Sequence, residues 1–283
     1  VEKLRDCRPI LVIDQLKRYR EWADRSYSHA LLPFTFDEAH RSISALDLAR
    51  LADRRETRHW LLNSLRKFAG TCDLLLMPPL CGSRADADLL QAVNDAAGCS
   101  VVEMCSIPPG VGGLRLRDVL MRALKRYDVS VLENFTVQRA TTQNEMCSSL
   151  VGLSSGQERE HAARSFVLAT GGILGGGLTL EPGVVRESVF GIDIPVPDNV
   201  SQWSEQKIFG NHLVSHLGVQ VNSHMQPVDN SGKPYWQNVF FAGRSLGGYD
   251  YASEKSGLGV AAATGWQAGR MAAQTAIGNG GRQ

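Results

Sequence analysis

Residues 238–273, NVFFAGRSLGGYDYASEKSGLGVAAATGWQAGRMAA, concentrate the residue types and spacings that suit binding chemistry. An apolar run over 238–242 reads as a short strand that stops on Gly243. Gly247 and Gly248 follow, and such a pair takes positive φ and lets a ligand approach the backbone. From Ser256 the chain is helix-compatible and carries Gly257, Gly259 and Ala262, so the first amides of that helix point at an anion or a carbonyl. Close packing of a small-residue helix on a sheet is the competing reading.

Three motifs overlap here. Gly243 to Gly247 fits G-x-S-x-G, the nucleophile elbow of a hydrolase, but the base histidine follows the serine in that chain order and the last histidine is His224. Gly257 to Ala262 fits G-x-G-x-x-A, yet the polar residues 253–256 precede it where a dinucleotide fingerprint needs a strand. The closing element of a flavin-type fold remains, with a late strand and glycine turn leading into a helix aimed at the isoalloxazine end.

A second glycine cluster ends an apolar run over 165–169 in Thr170-Gly171-Gly172, with Gly175, Gly176 and Gly177 close behind. That places backbone amides at a strand end, and so many glycines are hard to assign to packing alone. A third candidate lies at Pro109, Gly112, Gly113 and Arg115. Arg115 and Arg117 fall in the first turn of a predicted helix, where positive charge opposes the helix dipole by about 0.3–1 kcal/mol each. An anion held by the Gly112 and Gly113 amides and the Arg115 fork offsets that cost, and an ordinary surface arginine is the alternative. His212 and His216 stand four apart without the acidic partner of a zinc motif, so a surface pair or a substrate contact is favoured over a metal site.

These sites need elements to hold them. Residues 8–14 have a buried-strand pattern with no glycine turn after it, and residues 45–69 have helical spacing that stops at Gly70. Strands are expected over 72–77 and 99–104, with a helix over 86–97 that buries Leu89, Leu90, Val93 and Ala97 and ends at Gly98. Each of the two strands runs into a proline-rich turn, an order that favours an α/β layer with loops gathered at the strand ends. The next helix carries Leu116, Val119, Leu120, Ala123, Leu124 and Tyr127 on one side. Short strands at 129–131, 136–140 and 149–153 suggest a β-meander, followed by a buried strand at 165–169 and an irregular linker at 191–197.

The 283 residues are enough for a full core, and a formal net charge of +1 argues against a nucleic-acid surface. No apolar run reaches the ~20 residues that span a bilayer, so membrane contact is expected to be peripheral. The six cysteines lack C-x-x-C spacing and read as reduced, mostly buried thiols of a cytoplasmic protein. Cys81, at a strand end, is the one to watch as ligand-facing.

In their order and wording, CDLLLMPPLCG, SIPPGVGGLRLRDVLMRAL, SFVLATGGILGGGL, ESVFGIDIPVP and NVFFAGRSLGGYDYASEKSGLGVAAATGWQAG make the chain resemble the B-subunit family of anaerobic glycerol-3-phosphate dehydrogenase. The Pro-Pro turn leading to Leu114-Arg115-Leu116 is the more specific signal, while Ala-Thr-Gly-Gly ends are common to many flavoproteins. The resemblance implies oxidation of sn-glycerol 3-phosphate to dihydroxyacetone phosphate in glycerol metabolism during anaerobic respiration, with electrons passed through a flavin to the quinone pool. It implies FMN, or FAD given the FAD-type fold. It further implies a catalytic FAD subunit and an iron-sulfur subunit as partners, at the cytoplasmic face of the inner membrane and peripheral to it. A non-catalytic assembly or electron-relay subunit is the alternative.

The family opens with a strand, a G-x-G-x-x-G turn and a β-rich portion, none of which occurs in these residues. The expectation is therefore a fragment, or a product that starts late, with a partial FAD/NAD(P)-binding-type α/β fold. Residues 1–128 are read as a central α/β, cap-like portion and 129–283 as the C-terminal part of the flavin-binding domain. Cofactor contacts are expected at Thr170, Gly171, Gly172, Gly243, Gly247, Gly248, Gly257, Gly259 and Ala262, and substrate contacts at Pro109, Gly112, Gly113 and Arg115. No general base stands out, since His212, His216 and His224 qualify only by residue type.

Overall fold

A computed structural model describes residues 4–34, 43–181, 183–207 and 210–278. The chain divides into two units, Val1–Val131 and Leu132–Gln283.

In the first unit, Pro9 sets the opening element. Lacking an N–H and fixed near helical φ, it suits the first turn of a helix, and Pro9–Leu16 forms helix α1 rather than the buried strand expected there. The apolar run does not enter the core, for Ile10 and Leu11 are about 60% exposed. The helical stretch 45–69 is two helices, α2 (Ala45–Ala52) and α3 (Arg55–Leu65), followed by a short 3-10 turn. A reciprocal capping box between Ser44 and Asp47 starts α2.

Strands β1 (Leu74–Met77) and β2 (Ser100–Glu103) pair in parallel, and α4 (Ala87–Ala97) crosses between them. Asp86 caps the start of α4 through the Leu89 amide, and Gly98 ends it in the left-handed region at φ 62°. Leu89, Val93 and Ala97 are buried as expected, whereas Leu90 faces solvent. The apolar packing of helix α5 (Val111–Arg126) on α2 is made by its first turn, through Val111 and Leu114 against Leu46 and Ala49. Leu116, Val119, Leu120 and Tyr127, the expected inward face, are exposed because the contact with α2 does not continue along the helix.

The second unit opens with an antiparallel meander, β3 (Phe135–Gln143), β4 (Met146–Ser154) and β5 (Gln157–Ala162). No strand forms at 129–131. Strand β5, which hydropathy does not reveal, is exposed throughout and carries Glu158, Arg159 and Glu160; its pairing with β4 defines it, and its charges suit an edge. Strand β6 (Phe166–Leu168) is followed by the antiparallel β7 (Leu178–Glu181), β8 (Val184–Glu187) and β9 (Asp193–Ile194), the last falling within the expected linker. After the single turn α6 (Leu213–His216), strand β10 (Val239–Phe241) pairs in parallel with β6, and α7 (Gly257–Gly278) completes the unit. Phe166, Leu168, Val239, Phe240 and Phe241 lie at the centre of its core, with Ala268 and Ala272 of α7 against them. The α/β class expected from the sequence is the class observed.

Candidate functional site

Because β6 and β10 run parallel with Leu168 opposite Phe241, both stop at one edge. The Ala242 amide donates to the Leu168 carbonyl at 2.9 Å, and from there the two glycine turns diverge side by side. One is Thr170-Gly171-Gly172; the other is a 3-10 turn, Gly243–Ser245. The Thr170 and Ser245 hydroxyls lie 3.4 Å apart, and a side chain at Gly172 would meet the Arg244 side chain at 3.1 Å. Helix α7 joins the same edge, since Thr264 Oγ1 accepts from the Gly243 amide at 2.9 Å. Two strand ends and one helix are thereby brought to one place by the fold.

The glycines divide into two kinds. Gly177 would place a Cβ 2.0 Å from the Gly171 carbonyl oxygen, and Gly171 and Gly175 are likewise in close contact. The density of glycine at 171–177 is therefore largely self-packing of the turn, contrary to its reading as more than packing. Gly247 is similar, for its amide donates to Val219 O at 3.2 Å and a Cβ there would meet Gly218 O at 2.7 Å. The close approach at Gly247 is by the chain's own backbone. Gly248 has φ 86° with open space beside it, although its amide is engaged by His216 O. Gly259 also faces open space, and Ala262 is exposed on the next turn of α7.

Donors remain at this edge. Among the described residues nothing accepts from the amides of Gly171 or of Gly172, which is buried, nor from those of Gly257, Leu258 and Gly259 in the first turn of α7. The Ser256 hydroxyl donates to Glu254 at 3.1 Å instead of capping the helix. Unaccepted amides at a helix start carry the positive end of the macrodipole, and they suit an anion or an electron-rich carbonyl. A ligand with such atoms, as a flavin has, fits this donor set.

Arg244, hidden from sequence reasoning inside the G-x-S-x-G match, ties the edge together. Its guanidinium lies 4.5 Å from the Tyr251 ring centre and donates to Ser215 O at 3.0 Å. Asp250, 4% exposed, accepts from the Ala252 amide and so shapes the loop that presents Tyr251; that bond, first among several, holds its carboxyl below the usual range. An arginine directly after a strand-ending glycine was the available signal. Ser245 is fully buried, so no exposed nucleophile elbow exists. No strand runs into Gly257, so the dinucleotide fingerprint is absent as well.

Within the first unit, Pro109, Gly112 and Gly113 are exposed at the start of α5. Arg115 turns inward: its fork grips the Glu103 carboxylate, and its Nη2 donates to Gly82 O at 2.6 Å. Glu103 also accepts from the Cys81 amide at 2.6 Å. Cys81 is 3% exposed, and burial, followed by the neighbouring Glu103 charge, pushes its thiol far up. It therefore stays a protonated core thiol rather than a reactive one.

His212 and His216 do not converge on a common ligand. His212 Nδ1 lies 2.9 Å from Ser204 Oγ, and His216 Nε2 lies 3.1 Å from Asn211 Oδ1. The His224 amide donates to Asn222 Oδ1 at 2.9 Å. Among the described residues no group of three or more His, Cys, Asp and Glu side chains could hold a metal ion, and no helix is long and apolar enough to cross a membrane.

The chain belongs to the FAD binding domain family, whose sequence model matches residues 49–260. More narrowly, it is similar to several proteins named as the B subunit of anaerobic glycerol-3-phosphate dehydrogenase. The one from Halobacterium salinarum, named as probable, is 32% identical over 220 residues, covering 78% of this chain and 52% of that protein. Those from Aliivibrio fischeri and Vibrio vulnificus are 25% and 27% identical, covering 95% and 93% of this chain and 62% and 61% of their own lengths. The chain thus spans between half and two thirds of these relatives. No solved structure matches it.

Proposed function

We propose that the chain is part of a flavin-dependent oxidoreductase subunit acting in the oxidation of sn-glycerol 3-phosphate to dihydroxyacetone phosphate, with electrons passed on to the quinone pool. One observation carries the flavin part: the parallel ends of β6 and β10 meet α7 through Gly243 and Thr264, and the amides of Gly171, Gly172, Gly257, Leu258 and Gly259 are unaccepted among the described residues. The substrate is the one that the relatives' names carry.

In this reading the α7 amides and helix dipole stabilise negative charge on a bound carbonyl edge. Thr170, Gly171, Gly172 and Gly243 line the approach from the strand ends, Gly248 and Ala262 border it, and Gly247 supports it through Gly218. Arg244, stacked on Tyr251, keeps the two turns in register. A flavin held there supplies two-electron acceptance and onward release of single electrons. The bound form is FAD or FMN. At α5, the Gly112 and Gly113 amides offer a phosphate site beside Pro109, with Arg115 setting the turn. The partners are a catalytic FAD subunit and an iron-sulfur subunit, and the assembly is peripheral at the cytoplasmic face of the inner membrane.

A second reading, an electron-relay or assembly subunit, is favoured by Arg115, whose donors are already taken up by Glu103 and Gly82. One experiment separates the two. Flavin is released from the full-length protein and identified, and its bleaching by glycerol 3-phosphate is followed with and without the partner subunits. Bleaching in the isolated subunit supports the dehydrogenating role, and bleaching only in the complex supports the relay. Full-length protein that neither retains nor binds flavin sinks the dehydrogenating and relay roles and supports the assembly role.

A further inference from the structure

Two thiols outside the site described above face each other across the start of the first parallel sheet. Cys72 lies two residues before β1 and Cys99 one residue before β2, and their Sγ atoms are 3.8 Å apart. A disulfide needs about 2.05 Å between sulfurs, so a small side-chain adjustment suffices to bond them. The pair is half-buried and opens onto a shallow cleft lined by Gly70, Thr71, Cys72, Asp73, Gly98 and Cys99, which gives a small reagent access from solvent. The two flanking glycines lie in left-handed turns, Gly70 at φ 74° and Gly98 at φ 62°.

We propose that Cys72 and Cys99 form a reversible dithiol–disulfide site, oxidised by exchange with a low-molecular-weight disulfide. In the first step one of the two thiolates attacks one sulfur of the reagent; a mixed disulfide forms, and one small thiol leaves with the bonding pair and takes up a proton. In the second, the other cysteine gives up its proton and attacks the protein sulfur of the mixed disulfide, releasing the second small thiol. The two protein thiols lose two electrons and two protons in all, and the reagent disulfide gains them. Burial, followed by the hydrogen bond with Cys72, raises the Cys99 thiol above its ordinary value. The bridge ties the entry of β1 to the entry of β2 across the whole of α4. It closes a loop that is free to open in the reduced chain, and the oxidised form resists unfolding more strongly.

The test uses the full-length protein, equilibrated in mixtures of oxidised and reduced glutathione, alkylated and mapped by peptide mass. The expected result is a peptide pair joined Cys72 to Cys99, loss of two alkylatable thiols, and a rise in melting temperature that reduction reverses. Cys72→Ser and Cys99→Ser proteins should each lose the cross-link and the melting shift. A bridge between other cysteines, such as Cys7 and Cys105, overturns the proposal. So does glutathione remaining on Cys72 or Cys99 of the unsubstituted protein without closure to the other. The mapping of unsubstituted protein decides the matter even if a serine variant does not fold.

Discussion

The Asn238 side chain and the Cys147 backbone are locked together in both directions: the Cys147 amide donates to Asn238 Oδ1 at 2.8 Å, and Asn238 Nδ2 donates to Cys147 O at 2.7 Å. Nδ2 also reaches Arg164 O at 3.0 Å, and Asn238 is 1% exposed. One residue thereby fixes the meander strand β4 against the entry to β10, upstream of the glycine turn at Gly243. Asn238→Ala leaves the Cys147 amide and carbonyl buried without partners, so it should cost about 2–4 kcal/mol. Urea denaturation should show a lower midpoint with an unchanged slope; a shift worth less than about 1 kcal/mol would mean that the lock is not made.

Glu187 carries the pH dependence of the same unit. It is 1% exposed and accepts from the Val189 and Phe190 amides at 3.1 and 2.6 Å. Burial raises its carboxyl above the ordinary value, outweighing those amide bonds, which act in the other direction. The folded state therefore binds the proton more tightly than the unfolded state. The stabilisation this supplies is complete below the unfolded value of about 4.3 and is lost as pH rises through the folded pKa. Glu187→Gln should remove that component. The difference in unfolding free energy between the two proteins should change with pH across this window and flatten above it, and a difference that is constant with pH would rule out the raised carboxyl.

How far the sequence reaches is visible in particular residues. The parallel pair β1 and β2 with α4 between them was legible because Asp86, Gly98 and the apolar spacing all agree. The edge formed by Thr170 to Gly172 and Gly243 to Ser245 was legible as two separate turns, but their meeting depends on a register that only pairing decides. Residues 8–14 misled because an apolar run without strict alternation suits either element, and Pro9 decides for the helix. Arg115 reads in sequence as free to meet an anion because its partners, Glu103 and the Gly82 carbonyl, lie 12 and 33 residues away. The role of Arg244 is hidden because it depends on Tyr251 and the Ser215 carbonyl, which no local pattern announces.

Arg115 should matter for folding as well as for any ligand. Its side chain and that of Glu103 are 18% and 14% exposed, so removing one partner strands the other in a place of low solvent access. Arg115→Ala should destabilise the first unit by about 3 kcal/mol, the low end of the range for breaking a buried pair, because both side chains keep some solvent access. Arg115→Lys should recover less than half, because an ammonium cannot serve the Glu103 carboxylate and the Gly82 carbonyl with one planar fork. Thermal melts of the three proteins check the order; if Arg115→Lys melts with the unsubstituted protein, the fork geometry is not used.

Gly259 separates a structural glycine from a binding one. It is the third residue of α7, and a Cβ there meets nothing within 4 Å. On helix propensity alone, Gly259→Ala should stabilise the protein, by up to about 1 kcal/mol. If the open space is where a flavin edge lies, the added methyl should at the same time weaken flavin binding, by about tenfold for 1.4 kcal/mol of lost contact. The two effects have opposite signs and are read by different measurements, denaturation of the apoprotein and flavin titration of the full-length protein. Gly218→Ala is the control, since its Cβ would fall 2.2 Å from the Gly247 amide and must disturb the fold and the edge together. Greater stability with unchanged flavin affinity in Gly259→Ala would remove the first turn of α7 from the cofactor site.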